Sequence, residues 1–360
     1  MIRPRVYMLR NCLVVYCAVF IYSCAKPAAP PVSSKPAGAA IEINVPLGLP
    51  AVSIPADNPP TVDTVALGRR LFYDRKLSVD NSVSCASCHD PKFGFADPRP
   101  GSIGVGGKRG NRNAPPVLNA AYQPVQFWDG RAPSLEEQAA GPIANPIEMK
   151  HPISDCVAKL NADAAYVSAF DKAFGPGGVT AERLKKSIAS FERTLLSADS
   201  PFDRYQFGGE AESLSAAAKR GLAIFKDKNR GNCVVCHTIG ENDALFTDGK
   251  FHNIGAGISP DGEMLDMGRF DQTKAEADKG AFRTPTLRNI AKTAPYMHDG
   301  RLRTLKEVVD FYAGGGSSNP QLDKEIKELK LNGRDRADLV EFLESLTGST
   351  PANSGPEGGQ

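Results

Sequence analysis

Two pentapeptides carry the plainest chemistry in the chain, Cys85-Ala-Ser-Cys88-His89 and Cys233-Val-Val-Cys236-His237. In each, two thiols one helical turn apart are spaced to bond the two vinyl groups of one porphyrin, and the adjoining imidazole reaches its iron. A zinc site would need four ligands, whereas each cluster supplies two thiols and one imidazole. A thioredoxin-like pair needs a βαβ setting, and no strand pattern flanks either cluster. Two such clusters predict two covalently attached c-type haems, held through Cys85, Cys88, Cys233 and Cys236 and ligated by His89 and His237. Of the remaining cysteines among the eight, Cys12, Cys17 and Cys24 fall in an N-terminal leader. Cys156 is expected to be a buried thiol without a role.

The elements that position these clusters repeat. Gly68-x-x-Leu71-Phe72-x-Asp74 precedes the first, and Gly221-x-x-Ile224-Phe225-x-Asp227 precedes the second. Gly and an aromatic at i and i+4 share one helix face, so the glycine lets a second helix cross closely. Apolar stripes at helical spacing supply the partners: Leu184, Ile188, Phe191 and Leu195 in the first half, Leu339, Phe342, Leu343 and Leu346 in the second. Further on, Arg112-Asn113-Ala114-Pro115 matches Phe282-Arg283-Thr284-Pro285, and Phe127-Trp128-Asp129-Gly130-Arg131 matches Met297-His298-Asp299-Gly300-Arg301. The chain therefore reads as mostly α, two cytochrome c-like domains related by internal duplication, residues 61–205 and 206–348. An insertion at about 240–281 in the second half is expected to be a solvated loop. The tail, 349–360, is expected to be flexible.

Arg3, Arg5 and Arg10 precede an apolar run from Leu13 to Tyr22, too short to span a bilayer and flanked as an export signal is. Export to the periplasm follows. Ile21-Tyr22-Ser23-Cys24 resembles a lipoprotein cleavage box with Cys24 as the lipid-bearing residue; ordinary signal cleavage is the alternative. Residues 25–60, rich in Ala, Pro and Ser, read as a tether outside the fold. Lys+Arg (43) nearly balances Asp+Glu (41) in the 360 residues, so no electrostatic footprint for nucleic acid exists. Hydrophobic residues at 41% suffice for a sizeable core, and the excess of Gly (34) and Pro (28) points to long shaped loops.

The repeat also exposes an asymmetry. The position twelve residues after Gly130 is Pro142, and the position twelve after Gly300 is Tyr312. A proline side chain cannot ligate iron, whereas a tyrosine oxygen can. Pseudo-symmetric halves would then have one open haem face and one capped by Tyr312, the alternative for Tyr312 being an ordinary core aromatic. His298, the counterpart of Trp128, is a lesser alternative ligand for the second iron.

The paired Cys-x-x-Cys-His clusters, together with Gln126-Phe127-Trp128-Asp129-Gly130-Arg131, Gly141-Pro142, Ile147-Glu148-Met149, Leu287-Arg288-Asn289 and Thr293-Ala294-Pro295-Tyr296, resemble the bacterial dihaem cytochrome c peroxidase and MauG superfamily. The resemblance implies an N-terminal haem that reacts with hydrogen peroxide and a C-terminal haem that exchanges electrons. It implies that Trp128 relays charge between them, that Glu148 moves protons over the open haem, and that Gln138 lies in the same distal pocket beside Pro142. A calcium ion between the domains would be held partly by Asn113, Thr293 and Pro295. Typical members have Met at the place of Tyr312, and MauG-type members have Tyr. Val105 stands where typical peroxidases carry a removable His. Three functions follow as alternatives: peroxide reduction fed by a small cytochrome c or copper protein, MauG-like oxidation of a residue on a partner protein, or a non-enzymatic electron relay.

Overall fold

The structure is a computed structural model that describes residues 1, 2, 32–259 and 261–356; the leader and Cys24 lie outside the described residues. From Ser33 onward the chain is one unit. Its first half holds α1 (Val62–Tyr73), α2 (Leu135–Ala144), α3 (Ile153–Asn161), α4 (Ala164–Phe174) and α5 (Ala181–Glu192), followed by the short α6 (Pro201–Gln206). The second half holds α7 (Ala216–Lys226), α8 (Phe270–Thr273), α9 (Leu305–Ala313) and α10 (Gly333–Glu344). Antiparallel β1 (Phe251–His252) and β2 (Phe282–Arg283) form a two-residue ladder, so the fold is mostly α as expected.

The two halves repeat the same crossing. A Cβ on Gly68 of α1 would overlap the Ser187 carbonyl of α5 and press on Phe191. A Cβ on Gly221 of α7 would overlap the Asp338 carbonyl of α10 and press on Phe342. Each crossing buries its aromatics completely, Phe72 and Phe191 in one core, Phe225 and Phe342 in the other. Asn119 and Asn289, both left-handed, donate their backbone N–H to Leu195 and Leu346 beyond the crossing helices. Cys156 is fully buried in the first core, as its apolar setting predicts.

Three segments differ from the sequence-based expectation. Residues 33–60 are a strap packed on the fold rather than a tether outside it. Leu49 packs with Leu196 and Ala198, buried Asn58 donates to Glu136 Oε1 (2.7 Å), and the Gly48 carbonyl accepts from Arg288 (2.6 Å). Residues 349–356 are held too, since the Ser354 carbonyl accepts from the Tyr73 hydroxyl (2.6 Å) and the Pro356 carbonyl from Arg69 (2.9 Å). The insertion is a clamp between the halves. Its Asp266 pairs with Arg112 (2.7 Å), and its Arg269 donates to the Asp129 carbonyl (2.8 Å). In the strap and the tail, backbone carbonyls find donors on the side chains of the packed halves; in the insertion, charged side chains reach across to the first half.

Overpacking at a helix crossing costs about 1–3 kcal/mol. Gly68→Ala and Gly221→Ala are therefore each expected to lower the thermal midpoint by several degrees. Gly333→Ala, where a Cβ meets open space, is expected to leave it unchanged. Calorimetry on the three variants checks this, and equal midpoints would contradict the crossing.

Candidate haem sites

Each Cys-x-x-Cys-His cluster forms one tight turn. His89 N–H donates to the Cys85 carbonyl, and His237 N–H to the Cys233 carbonyl, both at 2.9 Å. The His89 Nδ1 meets the Phe95 carbonyl at 3.1 Å, and the His237 Nδ1 meets the Phe246 carbonyl at 2.9 Å. A carbonyl can only accept, so Nδ1 carries the proton and Nε2 keeps its lone pair. Burial lowers the pKa of both imidazoles and keeps them neutral, the form that ligates iron. Burial also pushes the Cys85 thiol up, and the Cys233 thiol up to about 12, which suits addition of S–H across a vinyl group. These residues fit covalent haem at both turns.

The C-terminal turn opens on an apolar cavity lined by Cys233, Cys236, His237, Phe225, Leu339, Leu343 and Tyr312. Tyr312 thus shares a cavity with His237. Burial raises its pKa, and the two cysteine sulfurs add to the rise. A phenolate at this position needs a cation beside it. Asn113, Trp128, Thr293, Pro295 and His298 line the same cavity on the side toward the N-terminal half. Neither the Thr293 nor the Pro295 carbonyl accepts a hydrogen bond among the described residues, while Asn113 Nδ2 is engaged by the Asp97 and Arg99 carbonyls (3.0 and 2.8 Å).

Trp128 is fixed at the seam. Its Nε1 donates to the Asn113 carbonyl (2.8 Å), and its ring meets His298 edge-on at 6.5 Å. His298 stacks on Phe282 at 3.7 Å. The backbones exchange bonds symmetrically: Asn113 N–H donates to the His298 carbonyl (2.7 Å) and Arg283 N–H to the Trp128 carbonyl (2.8 Å). Arg112 joins Asp129 and Asp266 with two ion pairs of 2.7 Å. Nothing in the spacing of the sequence linked these three residues, because charges in a loop do not name their partners.

On the N-terminal side, α2 carries Gln138 and, one turn later, Pro142. The loop after α2 places Glu148, whose Oε1 accepts from Asn145 Nδ2 at 2.6 Å. Burial raises the Glu148 pKa above the ordinary glutamate range, and the Asn145 bond opposes part of that rise. Its charge acts on the Cys85 and Cys88 thiols of the first turn. Val105 is buried and its N–H donates to the Glu148 carbonyl (2.8 Å), which ties the Gly-rich loop to the acid. The sequence did not reveal His252, whose ring is held between Asp323 (2.5 Å) and Asp248 (2.9 Å) beside Cys236.

Paired cytochrome-like helical domains, each presenting a thiol pair and a neutral imidazole in one turn, define a dihaem c-type protein. The family pattern for di-haem cytochrome c peroxidase matches residues 62–212, and that for cytochrome c matches 218–347. The chain is 41% identical over 308 residues to the methylamine utilization protein MauG of Methylorubrum extorquens, covering 85% of this chain and 84% of that one. It is 40% identical over 290 residues to the cytochrome c551 peroxidase of Pseudomonas aeruginosa, covering 79% of each. A solved MauG-like protein associated with microbial copper homeostasis superposes with a TM-score of 0.76 at 35% identity, covering 86% of this chain and 96% of that one. The chain belongs to the bacterial dihaem cytochrome c peroxidase and MauG superfamily, and it is a haem peroxidase.

Replacing Cys85 and Cys88 together by Ser is expected to halve the covalent haem content, and replacing Cys233 and Cys236 together to do the same. Haem absorbance per chain after acid-acetone extraction checks this. Loss of both haems from either variant would show that the two turns do not load independently.

Proposed function

We propose that the chain reduces hydrogen peroxide at the N-terminal haem turn, over an open face beside Pro142, and draws electrons through a Tyr312-capped C-terminal site. The observation that carries this is the pair α2 and α9. Ser134 caps the first by accepting from Glu137 N–H (3.2 Å), and Thr304 caps the second by accepting from Glu307 N–H (3.1 Å). Both helices therefore start in the same register, with Pro142 and Tyr312 at the same step.

Bound haem supplies the redox chemistry that takes two oxidising equivalents from peroxide. The chain supplies the rest. Glu148 accepts the proton of peroxide held in the pocket and returns it to the departing oxygen. Asn145 aims its carboxylate, and burial moves its basicity towards the neutral range where proton transfer in both directions is efficient. Gln138, one turn before Pro142, lines the distal side. Trp128, fixed through Nε1, relays charge across the seam. Tyr312, whose phenolate needs the metal as counter-charge, favours the ferric and higher states of the C-terminal site.

Two electron sources remain as readings. A small cytochrome c or copper protein would make the chain a peroxide scavenger. MauG-like oxidation of a residue on a partner protein is supported by Tyr312, by Val105 in place of a removable His, and by the 41% identity to MauG. A non-enzymatic relay gains nothing from an acid over an open site. Calcium at Asn113, Thr293 and Pro295 would stiffen the seam around Trp128. Periplasmic export, with Cys24 as an optional lipid anchor, agrees with covalent haem attachment.

Adding hydrogen peroxide to the diferric protein without reductant tests the reading. A long-lived oxidised form is expected if a partner protein is the substrate. Rapid turnover confined to samples with reduced cytochrome or copper protein indicates scavenging, and no reaction with either contradicts both. Glu148→Gln is expected to retain both haems and slow peroxide turnover roughly 10²–10⁴-fold. Glu148 must be ionised to accept a proton. Because its pKa is raised, wild-type turnover falls as pH drops through a value above the ordinary glutamate range, and this acid limb disappears in Glu148→Gln.

A further inference from the structure

The crossing helices of the two halves superpose residue for residue: Ser187 with Asp338, Phe191 with Phe342, and Leu195 with Leu346. In that register Glu192, the last residue of α5, takes the position of Leu343, which lines the C-terminal haem cavity. An acid therefore stands in the N-terminal wall where its twin is a hydrocarbon. Glu192 is 5% exposed, and its Oε2 has no hydrogen-bond partner among the described residues. Cys85 of the first haem turn packs against the cores that hold Ile188 and Phe191 of α5 and Leu195 beyond it, and the charge of Glu192 acts on its thiol.

Two charges flank it, Arg193 and Glu136. Arg193, the next residue, pairs through Nη2 with Glu136 from α2 at 2.8 Å, and its Nη1 has no hydrogen-bond partner among the described residues. The strap contributes neutral Asn58, bonded to that same Glu136, and α1 contributes Leu71 and Phe72 to the cores on either side. The first haem turn contributes the Cys85 thiol. Glu192 is thus the surplus acid of the cluster, at a helix C-terminus that itself disfavours negative charge. Burial lifts its pKa to about 8.

We infer that Glu192 takes up and releases a proton as the N-terminal haem changes charge, an inference that rests on that turn holding a haem. Ferric haem carries one positive charge beside the carboxyl and stabilises its ionised form; ferrous haem carries none. Reduction then consumes one electron and one proton, so that ferric iron and carboxylate become ferrous iron and carboxylic acid, and oxidation releases both. Single-electron delivery to this site is thereby kept electroneutral.

The experiment is a spectroelectrochemical titration of the N-terminal haem from mildly acid to mildly alkaline pH, with haem content per chain measured on the same samples. The wild-type potential is expected to fall with a slope approaching 59 mV per pH unit, one proton per electron. Glu192→Gln and Glu192→Leu, the latter copying Leu343, are expected to flatten it. A slope that persists in both variants assigns the proton to a haem propionate and overturns the inference. Wild-type protein with haem at the C-terminal turn alone overturns the reading beneath it instead. Should either variant lose haem, the infrared difference spectrum of the wild type decides. A carboxylic-acid carbonyl band gained on reduction is expected, and its absence overturns the inference.

Discussion

The constraint on which the rest depends is one hydrogen bond used twice, from the Nδ1 of a haem-turn histidine to the carbonyl of a phenylalanine. It fixes the tautomer and the ring direction of His89 and His237, while burial keeps both rings neutral. Each phenylalanine pays for that carbonyl direction with a left-handed backbone, φ 60° at Phe95 and 51° at Phe246. A left-handed residue costs about 1–2 kcal/mol. Complete burial of an aromatic side chain contributes about 1.5–3 kcal/mol, and both rings are fully buried, Phe95 against Phe72 and Phe246 against Phe202 and Phe225. Packing therefore holds the carbonyl in place, and the imidazole follows.

Duplication gives the molecule two copies of this device, and a seam where the copies exchange backbone bonds through Asn113, His298, Arg283 and Trp128. Function comes from where the copies differ. Pro142 faces Tyr312 across the pseudo-symmetry, Trp128 faces His298, and Glu192 faces Leu343. Each substitution moves polarity or ligating power from one site to the other. In the proposed reading the N-terminal site has two acids and an uncapped face; the cavity at the C-terminal turn has the Tyr312 phenol in a largely apolar wall. The Arg112, Asp129 and Asp266 cluster then ties the insertion to the first half, with two bonds from Arg112 to Asp266 and one to Asp129.

Much of this was legible in the residues. The thiol and imidazole spacing named the haem turns, and the recurring Gly-x-x-apolar-Phe pattern named the helix crossings that Gly68 and Gly221 make. The Pro142 and Tyr312 contrast emerged from self-comparison, while Glu148 and Gln138 came through family resemblance, since a loop acid has no periodic signature. The strap was misread because its Pro and Ala content suggests a free linker. Its alternation of Ile41, Ile43 and Val45 is the signal of extended chain with one face inward, and Ile43 and Val45 pack with buried Leu49, while Leu47 is exposed. The Asp266 to Arg112 pair stayed hidden because an ion pair between distant segments leaves no local pattern.

The central claim is that the two sites are unequal, one open and one capped by Tyr312. Electron paramagnetic resonance of the as-isolated diferric protein tests it most directly. A high-spin ferric signal from a haem with no sixth protein ligand, alongside a distinct signal from a six-coordinate haem, is the predicted result. A spectrum in which both haems are low-spin, with no high-spin component, would contradict the account.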